Sequence, residues 1–342
     1  MALPDLRSFT YDELETFITD MGEKRFRARQ IFEWLCKKGA MSFDDMTNVS
    51  KTLREKLAGV SVIRGARIAE KYKSKIDETV KYLIEFDDGE CVETVVMHYH
   101  HGVTVCISSQ AGCRMGCNFC ASTIGGKKRD LLSGEILMQV LLAQKDTGER
   151  ISNIVMMGIG EPLDNFENVR RFLINVNDER GLNIGYRHIS LSTCGVVDGI
   201  EKLSQMNIPI TLSISLHAPN DEIRNSMMPV NKRWKIDELI DACKKYQSVT
   251  TRRISFEYAM IDGVNDSEEN ARELAERIGG IMCHVNLIPV NNVKERSYKK
   301  SNAQSIKKFI GALEKNGITA TVRRELGSDI SASCGQLRQK RL

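Results

Sequence analysis

Short apolar segments alternate with longer amphipathic segments from residue 102 onward, and this alternation constrains the fold more than any other feature. The apolar segments have the length and composition of buried strands, and the amphipathic segments repeat their apolar residues at helical spacing. This pattern predicts a parallel sheet with right-handed helical crossovers, either doubly wound or closed into a full or partial barrel. The predicted strands are TVCISS, NIVMMG, HISLST, ITLSISLH, RISFEYAM, HVNLIPV and TATVRRE, and the predicted helices are 133–147, 165–177, 198–206, 236–246, 266–279 and 302–316.

The first hundred residues follow two other patterns. Residues 11–21, 25–38 and 50–57 have helical periodicity and predict a compact helical module. ARIAEKYK, TVKYLIEF and CVETVVMH then alternate as strands do, and they predict a small antiparallel sheet. We therefore expect a helical domain over 1–64, an antiparallel strand connector over 65–101 and an α/β domain over 102–342.

The composition excludes several classes of protein. With 42% hydrophobic and 27% charged residues, the chain is typical of soluble globular proteins, and no apolar run reaches the ~18–20 residues of a membrane span. The first residues, MALPDLRSFTYDELETF, lack the basic start and apolar core of a signal peptide. Ten cysteines without an export signal predict reduced thiols and a cytoplasmic protein.

Basic residues are grouped rather than scattered, although the net charge is only +4. Together these groups are compatible with one surface that binds a polyanion, because phosphate contacts are made by such residues. For each group alone, a solvated face is the better interpretation. The groups are Lys24, Arg25, Arg27 and Arg29; Lys127, Lys128 and Arg129; Arg252 and Arg253; Lys299 and Lys300; Arg323 and Arg324; and Arg338, Lys340 and Arg341.

Three cysteines lie close together in CRMGCNFC, at positions 113, 117 and 120. Iron–sulfur clusters are held by cysteine thiolates, and three thiolates leave one iron of a [4Fe–4S] cube open to a substrate. A zinc knuckle is the first alternative, but a structural zinc site needs a fourth ligand that this segment lacks at the usual spacing. Buried thiols without a ligand are the second. We therefore predict Cys113, Cys117 and Cys120 as cluster ligands.

Glycine and polar residues stand at the carboxyl ends of four predicted strands. In α/β barrels the functional groups lie at these ends, so the four positions predict a pocket for a small zwitterionic ligand. The residues are Gly160 and Glu161 after NIVMMG, Ser192 in HISLST, Ser215, Leu216 and His217 in ITLSISLH, and Asn291 after HVNLIPV. Tight packing is the alternative for the glycine, and a packed structural role is the alternative for His217.

Two further thiols lie near this predicted pocket in the sequence. Cys106 is on the strand that leads to the cysteine triplet, and Cys334 is in DISASCGQL among small polar residues. Free cysteines are often small buried apolar residues, which is the alternative for both. Cys334 lies on no apolar periodic face, however, and this favours a thiol presented to a site.

The CxxxCxxC triplet, GIGEP, SLHAPN, HVNLIPVN and DISASCGQL occur in this order, and with them the whole chain resembles the radical SAM RNA adenine-C2 methyltransferases. The resemblance implies a partial parallel (β/α) radical SAM barrel with a small helical N-terminal domain and an antiparallel strand extension. It also implies a [4Fe–4S] cluster on the triplet and S-adenosylmethionine (SAM), used twice per turnover, on the strand-end residues. Ser333 departs from the family, where Ala precedes the cysteine.

The activity that the resemblance implies is methylation of adenosine C2 in 23S rRNA, at the peptidyl-transferase centre, and in tRNA, beside the anticodon. Cys334 would accept a methyl group, a 5′-deoxyadenosyl radical would activate it, and Cys106 would form a disulfide with Cys334 to release the RNA. Glu93 in CVETVV would be the general base. The resemblance further implies docking of RNA on the N-terminal module, an electron donor such as flavodoxin or ferredoxin, and a monomer without membrane contact.

Three other functions stay open at this point. A related family methylates adenosine C8 of 23S rRNA and confers antibiotic resistance, and it shares the triplet and the cysteine pair. Other radical SAM enzymes, which modify peptides or activate enzymes, need no methyl-accepting thiol. A non-enzymatic RNA-binding module with an iron–sulfur or zinc site is the third.

Overall fold

The structure is a computed structural model that describes residues 3–291 and 293–338. Asn292, Lys340 and Arg341 lie outside the described residues. Ten strands of the described chain form one sheet in the order β1-β2-β3-β4-β7-β8-β9-β10-β11-β12, and β5 and β6 form a separate two-stranded ribbon. The strands are β1 (Ala66–Lys73), β2 (Val80–Phe86), β3 (Cys91–Tyr99), β4 (Gly102–Cys106), β5 (Gln110–Gly112), β6 (Lys127–Asp130), β7 (Ile151–Met156), β8 (Ile189–Thr193), β9 (Thr211–Ser215), β10 (Ile254–Met260), β11 (Cys283–Pro289) and β12 (Ala320–Val322).

The parallel part of the sheet confirms the α/β fold predicted from the sequence. Strands β4 and β7 to β12 pair in parallel with their neighbours. The helices that connect them are α4 (Ser133–Thr147), α5 (Phe166–Asn177), α6 (Val197–Gln205), α7 (Asp221–Met227), α8 (Ile236–Thr250), α9 (Glu268–Ile278) and α10 (Ala303–Lys315). Helix α7 and the β5–β6 ribbon were not predicted, because seven residues and two very short strands show no clear periodicity.

The antiparallel strands differ from the prediction in one respect. β1, β2 and β3 pair antiparallel as expected, but β3 also pairs antiparallel with β4, through Val95 opposite Cys106. They therefore extend the main sheet and do not form a sheet of their own. The short turn between β3 and β4, at residues 100 and 101, permits this hairpin.

A helical region precedes the sheet, with α1 (Tyr11–Asp20), α2 (Phe26–Cys36) and α3 (Lys51–Val60). It contacts the α/β part through side-chain hydrogen bonds. Ser8 Oγ accepts from the backbone N–H of Gly134 at 3.0 Å, and Asn175 Nδ2 donates to the carbonyl of Phe9 at 2.9 Å. Arg7 is fully buried and donates to the carbonyl of Arg64. These bonds fix the helical region on α4 and α5.

Apolar side chains fill the space between the sheet and its helices. Val105, Ile154, Leu191, Leu212 and Phe256 are buried on adjacent strands of the sheet. Burial of a large apolar side chain stabilises a fold by about 1.5–3 kcal/mol, so this layer holds the strand ends in fixed positions. Within the described residues, no helix combines the length and the apolar character that crossing a bilayer requires.

Candidate functional site

A cleft opens at the carboxyl ends of the parallel strands. The space between its walls, with the open solvent at its mouth, is about 990 Å³. Side chains from the triplet loop, from the ends of β7 to β11 and from the C-terminal segment meet there. Of the residues predicted from the sequence, the lining includes Cys113, Cys117, Cys120, Gly160, Glu161, Ser192, Ser215, His217, Asn291 and Cys334.

The three cysteines of the triplet lie on one loop after β5. The loop is fixed to α7, because the backbone N–H of Asn118 donates to the carbonyl of Met227 at 2.8 Å. Burial raises the pKa of all three thiols, that of Cys113 to about 12. A bound metal cation would instead lower the pKa of these thiols, because coordination deprotonates a thiol.

This loop fits an iron–sulfur cluster better than a single metal ion. Within residues 3–291 and 293–338, no three His, Cys, Asp or Glu side chains converge closely enough to bind one ion. A zinc ion holds its thiolates at ~2.3 Å and so draws them together. A cluster binds each thiolate through a different iron, which needs sulfurs that face one cleft at larger separations. All three cysteines line the cleft, as this requires.

Two glycines bring the backbone after β7 close to the loop after β4. Gly160 has φ +105°, and a Cβ on it would lie 2.6 Å from Cβ of Gln110. A Cβ on Gly158 would lie 2.6 Å from Oγ of Ser108. Because no other residue fits these two positions without displacement, the glycines set the width of the cleft.

Glu161 is buried, and both oxygens of its carboxylate already accept hydrogen bonds. Oε1 accepts from the N–H of Leu163 at 3.0 Å, and Oε2 accepts from the N–H of Cys194 at 2.7 Å. Burial nevertheless raises its pKa. The carboxylate lines the cleft, where its charge suits an ammonium group.

His217 presents a neutral ring to the cleft. Its Nδ1 accepts from the N–H of Ala259 at 2.9 Å, so the ring proton is assigned to Nε2. Burial lowers its pKa to about 3, and Arg224 adds to the effect. The ring also packs edge-on against Phe119, with centroids 4.9 Å apart. His217 has φ +57° and starts the turn after β9.

The remaining predicted residues have different positions. Ser192 and Ser215 lie side by side on β8 and β9, with their Oγ atoms 3.3 Å apart. Asn291 lines the cleft and donates from Nδ2 to the carbonyl of Cys334 at 2.9 Å. Leu216 is fully buried and does not line the cleft. The three polar side chains therefore face the cleft, whereas Leu216 supports its wall.

A second cavity adjoins the cleft, between β3 and the segment after β12. Cys106 and Cys334 both line it, together with Met97 and Tyr99. Cys334 lines the cleft as well. It is therefore the thiol that faces both spaces, one with the triplet and the other with Cys106.

The C-terminal segment that carries Cys334, residues 323–338, is here called the C-terminal loop. Its main chain joins the triplet loop, because the carbonyl of Gly335 accepts from the N–H of Ala121 at 2.8 Å. Ser122 Oγ donates to the carbonyl of Leu337 at 2.9 Å. On its other side, Asp329 accepts from Ser74 Oγ at 2.7 Å. These contacts fix Cys334 between the triplet and the antiparallel strands.

Glu93 is buried on β3, on the same face of the sheet as Cys106. Val95 lies opposite Cys106, and Glu93 is two residues before Val95, so the three side chains share a face. Glu93 lines neither the cleft nor the second cavity. Its Oε2 accepts from the N–H of Arg338 at 2.6 Å, so the C-terminal loop covers it.

Two charged residues of the cleft were not predicted to line it: Glu257 was not named from the sequence, and Arg323 was named only as part of a basic group. Glu257 is buried within β10 and accepts from Asn286 Nδ2 at 2.7 Å. Arg323 follows β12, lines both spaces with Cys334, and lies 3.7 Å from a carboxylate oxygen of Glu257. Glu257 is in the middle of a strand, so a search of strand ends does not find it. A charged residue in an otherwise apolar strand was the available signal.

Comparisons with known proteins agree with this geometry. The family model described as the ribosomal RNA large subunit methyltransferase N-terminal domain matches residues 4–63, and the radical SAM superfamily model matches residues 107–275. A crystal structure of a radical SAM methyltransferase from Sphaerobacter thermophilus superposes with a TM-score of 0.93 and 43% identity. It covers 98% of this chain and 100% of that chain.

Curated relatives are similar over almost the whole chain. A protein of Alkaliphilus oremlandii named "Probable dual-specificity RNA methyltransferase RlmN" is 57% identical over 338 residues, which are 99% of this chain and 98% of that protein. A protein of the same name from Clostridioides difficile is 55% identical over 98% of this chain and 97% of its own length. Radical SAM enzymes use a [4Fe–4S] cluster and SAM. The chain belongs to the RlmN family of radical SAM dual-specificity RNA methyltransferases.

Proposed function

We propose that this protein methylates C2 of adenosine, in 23S rRNA at the peptidyl-transferase centre and in tRNA beside the anticodon. Its family membership supports action on both RNAs. The observation that carries the proposal is the position of Cys334, which faces the cleft of the triplet on one side and Cys106 on the other. A thiol so placed can accept a methyl group in one space and deliver it in the other.

Cys113, Cys117 and Cys120 would hold the [4Fe–4S] cluster, and SAM would lie beside it in the cleft. When bound, the cluster and SAM supply a methyl group for transfer and a carbon radical that abstracts hydrogen. Glu161 would accept from the ammonium group of a zwitterion, and His217 would donate from Nε2. Ser192, Ser215 and Asn291 add hydroxyl and amide groups, while Gly160 permits close approach and Leu216 supports the wall.

The three catalytic residues would then act in sequence. Cys334 takes the methyl group as a thioether and later bonds through that carbon to C2 of the adenine. Glu93 accepts the proton that leaves C2. Cys106 attacks the sulfur of Cys334, so a disulfide forms as the bond between that sulfur and the transferred carbon breaks. The carbon takes up a proton and leaves as the methyl group of the RNA. Formation of a covalent bond to the enzyme divides a difficult methylation of a non-nucleophilic carbon into separate steps.

The adenine must leave its stack to reach these groups, so the substrate is an unpaired or flipped base. We propose that the basic surface at the start of α2, with Arg25, Arg27 and Arg29, docks the RNA. The charges there are exposed: the side chains of Arg25 and Arg29 have relative accessibilities of 78% and 66%. We propose 1–64, 65–101 and 102–342 as the domains, with this surface in the first.

We further propose that a flavodoxin or ferredoxin reduces the cluster, and that the protein acts as a cytoplasmic monomer. The requirement for an electron at the cluster supports the first proposal. Free cysteines on both sides of the cleft support the cytoplasmic location, because the proposed disulfide has to be reduced again after each turnover.

Mass mapping of methylated adenosines tests the proposed function. The gene product is expressed in cells that lack their own C2 methylation, and 23S rRNA and tRNA are digested and analysed. We expect 2-methyladenosine in both RNAs. Methylation at C8 without C2 would overturn the proposal in favour of the C8 family, and methylation of one RNA would restrict it to that substrate.

Two cysteine variants test the covalent route in the same assay. Cys334→Ala should abolish methylation while the absorbance of the cluster persists, because only the methyl acceptor is lost. Cys106→Ala should leave a covalent protein–RNA adduct, because the attack that releases the RNA is lost. Full activity of Cys334→Ala, or the absence of an adduct with Cys106→Ala, would contradict these roles.

A further inference from the structure

Lys81 and Glu93 form a buried ion pair within the antiparallel part of the sheet. The Lys81 Nζ and Glu93 Oε1 atoms are 2.8 Å apart, and the two side chains are only 2% and 5% exposed. Lys81 lies on β2 opposite Val95, which lies opposite Cys106 on β4. The pair therefore lies on the face of the sheet that carries the resolving thiol.

The second oxygen of Glu93 binds the C-terminal loop. The backbone N–H of Arg338 donates to Oε2 at 2.6 Å, and Lys81 Nζ lies 3.4 Å from the carbonyl of Ser331 in the same loop. The guanidinium of Arg338 is occupied elsewhere, with both terminal nitrogens 2.7 Å from the carboxylate of Glu295. Each oxygen of Glu93 thus has a separate donor, one from the sheet and one from the loop that carries Cys334.

Stability does not explain this arrangement. The desolvation of two charges costs several kcal/mol per ion, and an apolar pair of similar size is often as stable or more so. The pair instead affects how readily the carboxyl of Glu93 ionises. Burial raises the pKa of its carboxyl, and Lys81 is the largest influence that opposes burial, followed by Arg338.

We propose that Lys81 is a positioning residue that keeps Glu93 ionised as the base, and that the main-chain N–H of Arg338 completes this arrangement while the Cys334 loop is seated. The inference rests on the proposed role of Glu93 as the acceptor of the C2 proton. It adds that the base and the methyl-carrying loop are coupled by hydrogen bonds, so Glu93 is aligned when Cys334 is in place.

Among the described residues, the charged and titratable groups around Glu93 include Lys81 on β2, Tyr72 on β1, whose ring centroid is 5.3 Å from Lys81 Nζ, Cys106 on the same face of β4, and Arg338 in the C-terminal loop with its partner Glu295. Loss of the Lys81 charge therefore leaves burial as the dominant influence. The pKa of Glu93 rises further, so its carboxyl becomes ionised only at a higher pH than in the unaltered protein.

The test compares Lys81→Met and Lys81→Gln with the unaltered full-length enzyme, each with its cluster. The decay of the covalent protein–RNA adduct is followed between pH 6.5 and 9 on denaturing gels, with methyl-Cys334 measured by mass spectrometry. We expect the pH midpoint of adduct decay to rise by about one unit or more in both variants, because loss of a neighbouring opposite charge shifts a pKa by roughly 1–3 units. The rate should recover as the pH rises, and methyl-Cys334 should be unchanged.

Two variants serve as controls. Lys81→Arg keeps the charge and should restore the original pH profile. Glu93→Gln should retain the adduct at every pH, and adding Lys81→Met to it should change nothing more. If Glu93→Gln decays normally, the proposed base is wrong, which is a failure of the proposed function. If Glu93→Gln is slow but the Lys81 variants keep the original profile, or are slowed equally at every pH, the inference is overturned.

Infrared difference spectra give a readout that needs neither RNA nor SAM. The carbonyl band of a protonated carboxyl, identified by its loss in the Glu93→Gln background, should persist to a higher pH in Lys81→Met and Lys81→Gln than in Lys81→Arg and in the unaltered protein. The same pH dependence of the band in all four proteins, or no band in any of them, would overturn the inference.

Discussion

Among single residues, the two thiols of the second cavity differ in burial, and burial opposes ionisation of Cys106. Burial raises the pKa of Cys106 to about 12, and the neighbouring Cys334 adds to the effect. A thiol with this pKa has about one part in 10⁴ as thiolate at pH 8, and the thiolate is the nucleophile. Cys334 is half-buried and opens to both the cleft and the second cavity.

Alkylation by iodoacetamide should reveal this difference. We expect Cys334 to be labelled first at pH 8, while labelling of Cys106 is slow and rises about tenfold per pH unit up to its pKa. Peptide mass spectrometry measures both rates in one sample, and Cys106→Ser identifies the slow site. Equal labelling of Cys106 and Cys334 at pH 8 would contradict the burial that we assign to Cys106.

Substitution of Gly160 should destabilise the protein through a steric clash, and a second glycine without close neighbours serves as the control. Gly160→Ala adds a Cβ that would lie 2.6 Å from Gln110 at φ +105°. Gly263→Ala meets nothing within 4 Å at φ +67°, so it has the backbone strain without the clash. We expect Gly160→Ala to lower the free energy of unfolding by about 2–5 kcal/mol and Gly263→Ala to lower it by about 1–2 kcal/mol. Denaturant unfolding measures both, and equal losses would contradict the clash.

At the level of elements, local periodicity was sufficient for most of the fold. All seven predicted strands of the parallel sheet formed, and the prediction of a helix at 133–147 coincides with α4. The pairing of β3 with β4 was not predictable, because register between strands leaves no mark on either sequence alone. Glu257 was not predicted for a similar reason. It faces the cleft from the middle of β10, and only the assembled sheet brings it near Arg323.

Asp329 is one of the residues that hold the C-terminal loop to the antiparallel strands. Asp329 accepts from Ser74 Oγ at 2.7 Å and from the N–H of Lys75 at 2.8 Å. The bond from the N–H of Lys75 is the largest cause that lowers the pKa of Asp329. The contribution of a carboxylate with a lowered pKa is present above its unfolded pKa and is lost as the pH falls through its folded pKa.

We therefore expect Asp329→Asn to loosen the loop at neutral pH. Trypsin should cleave after Arg323 or Arg324 faster than in the unaltered protein, because the loop opens more often. In the unaltered protein, the protection of the loop against hydrogen exchange, corrected for the intrinsic exchange rate at each pH, should decrease as the pH falls below the usual range of aspartate. Asp241→Asn, which removes a surface pair with Lys244 at 3.6 Å, is the control and should change neither rate. Unchanged cleavage in Asp329→Asn would show that the other contacts suffice.

At the scale of the whole molecule, RNA has to be brought to the site by the attraction of positively charged side chains. The net charge of +4 is small, so docking depends on where the positive side chains lie. On α2, Phe26 is 52% exposed, and the guanidinium of Arg27 lies 4.7 Å from its ring centroid. An exposed aromatic ring among cations suits an unpaired loop, because bases stack on aromatic side chains and phosphates bind the charges.

The salt dependence of RNA binding tests this docking surface. Replacement of Arg25, Arg27 and Arg29 by Gln should weaken binding of an anticodon stem-loop. It should also make the negative slope of log K against log salt shallower by up to about 2, since each phosphate contact contributes roughly 0.7 on single strands. The control replaces Lys244, Lys245 and Arg272 on α8 and α9, which are also exposed and also paired with acids. Filter binding between 50 and 300 mM salt measures both slopes. An equal fall in the two variants would mean that RNA senses only net charge, and an unchanged slope in the first would place the docking surface elsewhere.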